Sequence, residues 1–205
     1  MRTGVIIAGG FSTRFEGGDK AVADLAGDPM VRRVADRLEP AVDALVVNCR
    51  TEQVQGIEAA LDGYEHPVTV AEDPDPDEGP MAGIMTGLRA VDSEYAAVVA
   101  CDMPFVDPAF VAYLFERAAG HDAAVPRPDE WFQTTQAVYR AVPMADACAD
   151  ALARGEHKII EPLFTLDYVV VEADEIDAHT TTDTFRNVNT REELQEAERV
   201  IEGED

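Results

Sequence analysis

The sequence predicts an α/β fold of three layers, in which helices cover both faces of a mostly parallel central sheet. Short runs of Val, Ile and Ala recur along the chain and are nearly continuous, as in strands buried on both faces. Amphipathic stretches long enough for helices separate these runs. In the first half of the chain, predicted strands and helices alternate as β–α units. This order gives parallel strands with right-handed connections.

The first half of the chain carries the more regular part of this pattern. Predicted strands cover residues 3–8, 44–48, 67–71 and 95–100. Predicted helices cover residues 28–38, 51–61, 80–91 and 108–119. Asp28 and Pro29 favour a helix start, with Asp as the N-cap and Pro at the first helical position. Thr51 is the expected cap of the second helix.

The second half of the chain is less regular. Predicted strands cover residues 123–126, 134–139 and 168–172, and the middle one is a candidate antiparallel strand. Predicted helices cover residues 142–153, 158–164 and 191–201. Thr190, with Glu193 three residues later, predicts a capping box at the start of the last helix. No linker separates the two halves, so residues 1–205 are predicted to form one domain.

Length and charge limit the classes of function. The 205 residues suit one large domain, and a hydrophobic content of 46% is enough for a core. The 41 acidic and 16 basic residues give a net charge of −25, which argues against binding to nucleic acids or to anionic membranes. No apolar run approaches the ~20 residues of a membrane span, and the N-terminus lacks a signal-peptide pattern. A cytoplasmic protein is therefore expected.

The type of charged residue is also unusual. Lys20 and Lys158 are the only lysines, and the other cationic residues are arginines. A lysine-poor, carboxylate-rich chain with a normal core resembles proteins of extreme halophiles, in which salt screens the repulsion between carboxylates. We therefore expect a halophilic protein whose activity is maintained in molar KCl.

The cysteines and histidines predict no structural metal site. The chain has three cysteines, Cys49, Cys101 and Cys148. Their odd number and wide spacing fit neither a disulfide framework nor a zinc site. They are expected to be small buried hydrophobic residues. The four histidines lack the spacing of metal-binding motifs.

A glycine-rich loop, residues 9–20, follows the first predicted strand and carries Arg14 and Lys20. Ligands of open α/β sheets bind beyond the carboxyl ends of the strands. Gly9 and Gly10 let backbone N–H groups approach an anion, and the two cations supply a charge that is scarce elsewhere. The loop matches neither GxGxxG nor GxxxxGK[ST]. It favours the binding of a triphosphate.

Two carboxylates follow other predicted strands. Asp102 comes directly after the fourth strand and its cysteine, and a carboxylate there is well placed to hold Mg²⁺ against phosphate oxygens. Asp73 follows the third strand and is expected to face the same site. The acidic spacing over residues 73–77 is similar to a calcium loop, but position 84, where the bidentate Glu would stand, is Ile84.

Several motifs occur in a fixed order along the chain. AGGFSTRF and GGDK follow the first strand, EDP and GPMAG the third, and CDMPFV the fourth, while GEHKIIEPLF and FRNVNTREEL lie near the end. Together they resemble the molybdenum cofactor guanylyltransferase family over about residues 3–200. The resemblance implies a Rossmann-like, GT-A-like nucleotidyltransferase fold, with a nucleotide-binding half at about 1–106 and an acceptor-binding half at about 107–205.

The family resemblance also implies a reaction, in which GMP passes from GTP to molybdopterin with Mg²⁺ as cofactor. Lys20, Arg14 and Asp102 would be the catalytic residues, and Asp102 would hold the metal. The residues implied to bind GTP are Ile7, Ala8, Gly9, Gly10, Lys20, Asn48, Asp73 and Asp102. Asn187 and Asn189 would lie on the molybdopterin side, and a molybdoenzyme or its chaperone would receive the product.

Other functions remain open at this point. The same chemistry could serve molybdopterin cytidylyl transfer, a cobamide precursor or a sugar phosphate. A nucleotide-binding module without turnover would keep the same fold, although Lys20 and Asp102 are both present. A Rossmann dehydrogenase is disfavoured because the chain lacks GxGxxG.

Overall fold

The computed structural model describes residues 1–10, 18–74 and 79–203, and a seven-stranded sheet runs through these ranges. In chain order the strands are β1 (Thr3–Ile7), β2 (Asp24–Leu25), β3 (Asp28–Pro29), β4 (Ala44–Cys49), β5 (Val68–Glu72), β6 (Tyr95–Ala100), β7 (Ala123–Arg127), β8 (Gln136–Arg140) and β9 (Tyr168–Glu172). The order across the sheet is β5-β4-β1-β6-β8-β7-β9, while β2 and β3 form a separate ribbon.

The central sheet is mostly parallel, as the sequence predicts. Within the described ranges β8 runs antiparallel to β6 and to β7, and the other neighbouring strands are parallel. The antiparallel direction suggested for residues 134–139 is therefore confirmed. Ile7 at the end of β1 pairs with Asn48 on one side and with Ala100 on the other. This register places the carboxyl ends of β1, β4 and β6 side by side.

Helices cover both faces of the sheet. Their bounds are α1 (Met30–Leu38), α2 (Val54–Ala60), α3 (Pro80–Arg89), α4 (Pro108–Ala118), α5 (Ala141–Ala153), α6 (Ile160–Leu163), α7 (Ala173–Asp177) and α8 (Arg191–Gly203). Val5 and Ile7 of β1 pack in the cluster that contains residues of α3 and α5, whereas Ile6 packs with α1 and α4. Because side chains alternate along a strand, one buried strand supplies both cores. The predicted three-layer α/β/α arrangement is thus confirmed.

The predicted start of the first helix is wrong. Asp28 and Pro29 form β3, which pairs with Asp24 and Leu25, and α1 begins at Met30 without a side-chain cap. Pro29 is extended, with ψ of 142°. The pairing of the ribbon therefore overrides the local preference of an Asp-Pro pair for a helix start.

The second helix also starts later than predicted. Thr51 opens a single 3₁₀ turn that ends at Gln53, and α2 follows from Val54. The side chain of Gln53 accepts a hydrogen bond from the Arg50 backbone N–H at 2.9 Å. This bond closes the turn, so Thr51 does not act as the N-cap.

Smaller differences occur in the second half. The helix predicted at residues 158–164 is the short α6, and α7 and the β2–β3 ribbon were not predicted.

Cys49, Cys101 and Cys148 are buried and free, and burial raises the pKa of each thiol to about 12. The three thiols are therefore protonated and act as hydrophobic side chains, as expected. Among the described helices, none has the length and apolarity required to cross a bilayer.

Candidate active site

The candidate site lies at the carboxyl edge of the parallel strands. Gly9 follows β1, Asn48 lies near the end of β4, Asp73 follows β5 and Asp102 follows β6. β4 and β5 lie on one side of β1, and β6 lies on the other. Such a change of side opens a crevice at which α/β sheets bind their ligands. The topology thus gathers residues that are far apart in the sequence.

Lys20 occupies the centre of this edge. Its Nζ donates to Oδ2 of Asp102 at 2.7 Å and to Oδ1 of Asn189 at 2.9 Å. The Lys20 side chain is 10% exposed and that of Asp102 is 20% exposed. An ammonium group has three donors, so one N–H remains for a ligand. The structure brings together three of the residues that the sequence predicts to act on substrate.

The segment before α8 connects the last part of the chain to this centre. The backbone N–H of Val188 donates to the carbonyl oxygen of Asp102 at 2.8 Å. Glu193 accepts from the backbone N–H groups of Asn189 and Thr190, at 2.6 and 3.0 Å, and its own N–H donates to Thr190 Oγ1. The predicted capping box is therefore present, and it fixes the backbone that carries Asn189. Asn187 is exposed.

Gln53 is a site residue that the sequence did not single out. It is 3% exposed, and its Nε2 donates to the carbonyl oxygen of Ala8 at 3.1 Å and to Oδ1 of Asp19 at 2.9 Å. The same Asp19 oxygen accepts from the Ala21 backbone at 3.0 Å. These bonds fix the short turn that presents Lys20. A glutamine near a helix start carries no signal that would have revealed this role.

A cavity of about 190 Å³ opens at the carboxyl edge of the sheet. Its walls are formed by Ile7, Gly9, Gly10, Asn48, Asp73, Gly79, Pro80 and Gly83. Asn48 is fully buried, and its Nδ2 donates to Asp73 Oδ1 at 2.7 Å and to the Ala71 carbonyl oxygen at 3.2 Å. Asn48 Oδ1 accepts no hydrogen bond from the described residues. The cavity therefore has an unsatisfied acceptor in its wall.

Asp73 adds a carboxylate to the same wall. Burial raises the pKa of this carboxyl group, while the hydrogen bonds from Asn48 and Thr86 and the charge of Arg50 oppose the rise. Asn48 therefore stabilises the ionised form. Asn48 Oδ1 and the Asp73 carboxylate together give a hydrogen-bond-accepting wall.

Two glycines keep this wall accessible. A Cβ on Gly9 would collide with Asp73 Oδ2, and a Cβ on Gly83 would lie 2.5 Å from Asn48 Oδ1. Both contacts would be closer than real carbon–oxygen contacts. A larger residue at either position would therefore displace Asp73 or Asn48. Gly9 thus leaves room for the Asp73 carboxylate, and the predicted approach of the Gly9 and Gly10 backbone to an anion stays a prediction.

Comparison with known proteins agrees with this geometry. The family described as MobA-like NTP transferase domain matches residues 4–171. A probable molybdenum cofactor guanylyltransferase of Natronomonas pharaonis is 56% identical over 196 residues, covering 96% of each chain. The chain belongs to the molybdenum cofactor guanylyltransferase family. It is therefore a nucleotidyltransferase, and the dehydrogenase alternative is excluded.

Further relatives support the family assignment. A probable molybdenum cofactor guanylyltransferase of Haloferax mediterranei is 41% identical and covers 94% of this chain and 91% of its own. The crystal structure of molybdopterin-guanine dinucleotide biosynthesis protein A from Archaeoglobus fulgidus has a TM-score of 0.80 at 28% identity, over 99% of this chain and 100% of that one. A cytidylyltransferase structure from Thermus thermophilus, with 17% identity and a TM-score of 0.72 over 98% of this chain and 100% of its own, shares the fold.

Asp102 is the described residue best suited to a metal ion in this nucleotidyltransferase. Its Oδ1 is buried and accepts no hydrogen bond within the described ranges. Residues 1–10, 18–74 and 79–203 contain no group of three or more metal-binding side chains. One carboxylate oxygen, completed by phosphate and water, is the type of site that Mg²⁺ uses. The free Oδ1 of Asp102 therefore suits Mg²⁺.

Not every predicted residue falls within the described ranges. Arg14 lies outside them, so its part in phosphate binding stays a prediction. Ile7 and Ala8 are buried, and Gly10 is exposed at the mouth of the cavity. Backbone contacts from this segment to a nucleotide are compatible with that placement.

Gly83→Ala is expected to raise the KM for the nucleotide substrate by about 10- to 100-fold. The added methyl group would move Asn48 and break its bond to Asp73, and hydrogen bonds to charged groups contribute about 1.5–3 kcal/mol. Steady-state kinetics at saturating acceptor measure this effect. Gly203→Ala is the matched control, because a Cβ there meets nothing within 4 Å. A normal KM for Gly83→Ala would show that Asn48 does not shape the cavity.

Proposed function

We propose that this chain transfers GMP from GTP to the terminal phosphate of molybdopterin and releases pyrophosphate. The observation that carries the proposal is the position of Lys20, held between Asp102 and Asn189 beside a cavity with an accepting wall. The names of the relatives, molybdenum cofactor guanylyltransferase and molybdopterin-guanine dinucleotide biosynthesis protein A, support a guanylyl group as the group transferred and molybdopterin as its acceptor. Residues 1–205 would act as one domain, with donor groups in about 1–106 and acceptor groups in about 107–205.

The accepting wall supports guanine as the base. The Watson–Crick edge of guanine carries two neighbouring donors, N1–H and the 2-amino group. Asn48 Oδ1 and the Asp73 carboxylate are acceptors that could receive them. Adenine and cytosine each present a ring-nitrogen acceptor at the corresponding place, which would leave these buried groups unsatisfied. Unpaired buried polar groups can discriminate strongly between substrates.

The chain supplies positive charge and fixed dipoles for the phosphates. The free N–H of Lys20 can donate to an oxygen of the α- or β-phosphate, and Ile7, Gly9 and Gly10 line the cavity at the same edge of the sheet. The acceptor phosphate is already largely ionised at neutral pH, since its second pKa is about 6. In-line attack on the α-phosphorus therefore needs no general base. Positioning and electrostatic stabilisation are the main contributions of the protein.

Asp102 would hold Mg²⁺ through its buried Oδ1. When bound, the ion supplies charge neutralisation and orientation for phosphate oxygens. Lys20 keeps the second oxygen of the same carboxylate in place, so the side chain is fixed before substrate arrives. Lys20 and Asp102 thus form one unit, in which each holds the other in position.

Asn189 is the acceptor-side residue that contacts the catalytic lysine. We assign Asn187 to the same side, since it is exposed two residues away. The cytoplasmic location and delivery of the product to a molybdoenzyme or its chaperone stay predictions.

Pyrophosphate release tests the proposed function. The protein is assayed in molar KCl with Mg²⁺ and with GTP, CTP or ATP, each with and without molybdopterin. Release that requires both GTP and molybdopterin is the expected result. Release with CTP in place of GTP would assign the chain to cytidylyl transfer. GTP binding without release under any condition would favour a nucleotide-binding module.

Activity is expected to hold or rise as KCl increases from 0.1 M to molar concentrations. The Debye length falls from about 10 Å to about 3 Å over this range, which screens the repulsion between a chain of charge −25 and two anionic substrates. Sucrose at matched osmolality is the control, because it strengthens burial without screening charge. A steady loss of activity above 0.15 M KCl would contradict the halophilic interpretation.

A further inference from the structure

A second cavity, of about 530 Å³, adjoins the nucleotide cavity. Pro80 lines both cavities, so they share a wall. Thr134 of the second cavity lies at the carboxyl edge of the sheet, because its neighbour Thr135 accepts a hydrogen bond from Ala100 at the end of β6. The two cavities therefore open towards the same edge, on the side of the acceptor half.

Trp131 is the most unusual residue in this cavity. Its side chain is 70% exposed, and it is the only tryptophan of the chain. Indole is a large, flat apolar group that stacks well on aromatic ligands, and here it borders the empty space of the cavity. An exposed tryptophan beside an empty space of this size points to an aromatic or apolar ligand.

The loop that carries Trp131 is held in place. The backbone N–H of Trp131 donates to Asp129 Oδ1 at 2.7 Å, and that of Gln133 donates to the Pro126 carbonyl oxygen at 2.8 Å. The neighbouring Phe132 packs edge-on against Tyr168, with ring centroids 6.1 Å apart. The indole is therefore presented on a fixed platform, which lowers the entropic cost of stacking a ligand on it.

The charge of the cavity is also distinctive. Lys158, one of the two lysines of the chain, lines it and forms no ion pair among the described residues. Such a cation is conspicuous in a chain of charge −25. Glu130 adds a carboxylate to the wall, so the cavity offers both an acceptor and a positive charge.

We propose that this cavity is the subsite for the pterin ring of the acceptor, and this proposal rests on the proposed function. The indole of Trp131 stacks on the flat pyrimidinone ring, in the way that aromatic side chains stack on nucleobases. Glu130 accepts from the ring's amino group, and Lys158 offsets the negative charge of the acceptor. The phosphate end of the acceptor then extends along the edge of the sheet towards Lys20 and Asn189.

Trp131→Ala is expected to raise the KM for molybdopterin about tenfold or more and to leave the KM for GTP unchanged. Trp131→Phe keeps an aromatic face and should recover most of the affinity. Val142→Ala is the matched control, because Val142 is also 70% exposed but lies next to β8's end at the opposite edge of the sheet. An unchanged KM for molybdopterin, or an equal rise for both substrates, would overturn the proposal.

The fluorescence of the single tryptophan gives a test that does not depend on turnover. Molybdopterin added to the wild-type protein without GTP is expected to quench Trp131 in a saturable manner. If wild type shows quenching but releases no pyrophosphate, the subsite stands and the proposed function fails. If the wild-type protein releases pyrophosphate but shows no quenching, the proposed function stands and the subsite is wrong. Trp131 would then have another role, for instance docking a partner protein. If neither signal appears, both are overturned.

Discussion

Replacement of Lys20 by methionine is expected to lower kcat by about 10²–10³ at saturating GTP and Mg²⁺, the size of effect seen when one preorganised charge contact is lost. Methionine fills the space of the lysine stem but carries no donor. The change removes the N–H available to a phosphate and also both bonds that hold Asp102 and Asn189. Because the proposed role of Lys20 is to stabilise charge that develops at the phosphates, the loss should appear mainly in kcat.

Lys20→Met also leaves the Asp102 carboxylate with less support, so stability must be measured beside activity. Thermal unfolding of the variant separates a loss of fold from a loss of catalysis. Arg154→Met is the control for removal of a cation, because Arg154 pairs with Glu156 at the surface, where ion pairs contribute little. Near-normal kcat in a folded Lys20→Met protein would remove Lys20 from the catalytic residues.

Asp102→Asn is the second change with a large expected effect, again about 10²–10³ in kcat. The amide has the shape of the carboxylate and still offers an oxygen to Lys20, but it lacks the charge that attracts a divalent cation. The Mg²⁺ concentration for half-maximal activity should therefore rise as kcat falls. This combination identifies a metal-binding role, because loss of packing alone would not change the dependence on Mg²⁺.

The matched control for Asp102→Asn is Asp43→Asn. Asp43 precedes β4 and accepts from the backbone N–H of Arg2, so it lies at the opposite edge of the sheet. Its loss should alter neither kcat nor the Mg²⁺ dependence. A folded Asp102→Asn protein with normal Mg²⁺ dependence would show that the unsatisfied Oδ1 does not serve a metal.

The strands and the layer order follow from sequence because buried strands have a simple signature. Residues 95–100 and 168–172 agree with the observed β6 and β9 at both ends. The β2–β3 ribbon was missed because its turn uses Ala26, with φ of 52°, together with Gly27. Positive φ is uncommon for alanine, so no rule of residue preference selects this turn.

The sequence predicts Asp73 and Asp102 as strand-end residues of the site because parallel topology brings them to one edge, while Asn48 is implied by the resemblance to the family. It does not reveal contacts that depend on the path of the chain around that edge. The bond from Lys20 to Asn189 spans 169 residues, and Gln53 acts through a turn that local patterns do not specify. The cavity at Trp131 likewise combines Pro80 of α3 with the segment before β8 and the start of α6.

The most direct test of the central claim follows the α-phosphate itself. Wild-type protein in molar KCl with Mg²⁺ and molybdopterin receives GTP labelled at the α-phosphorus, and the products are separated by chromatography. Transfer of the label to a single product that contains both guanine and pterin, with one pyrophosphate per label and strong loss in Lys20→Met, is the expected result. Label that remains in GTP, or appears only as free GMP, would contradict the assignment of molybdopterin as acceptor.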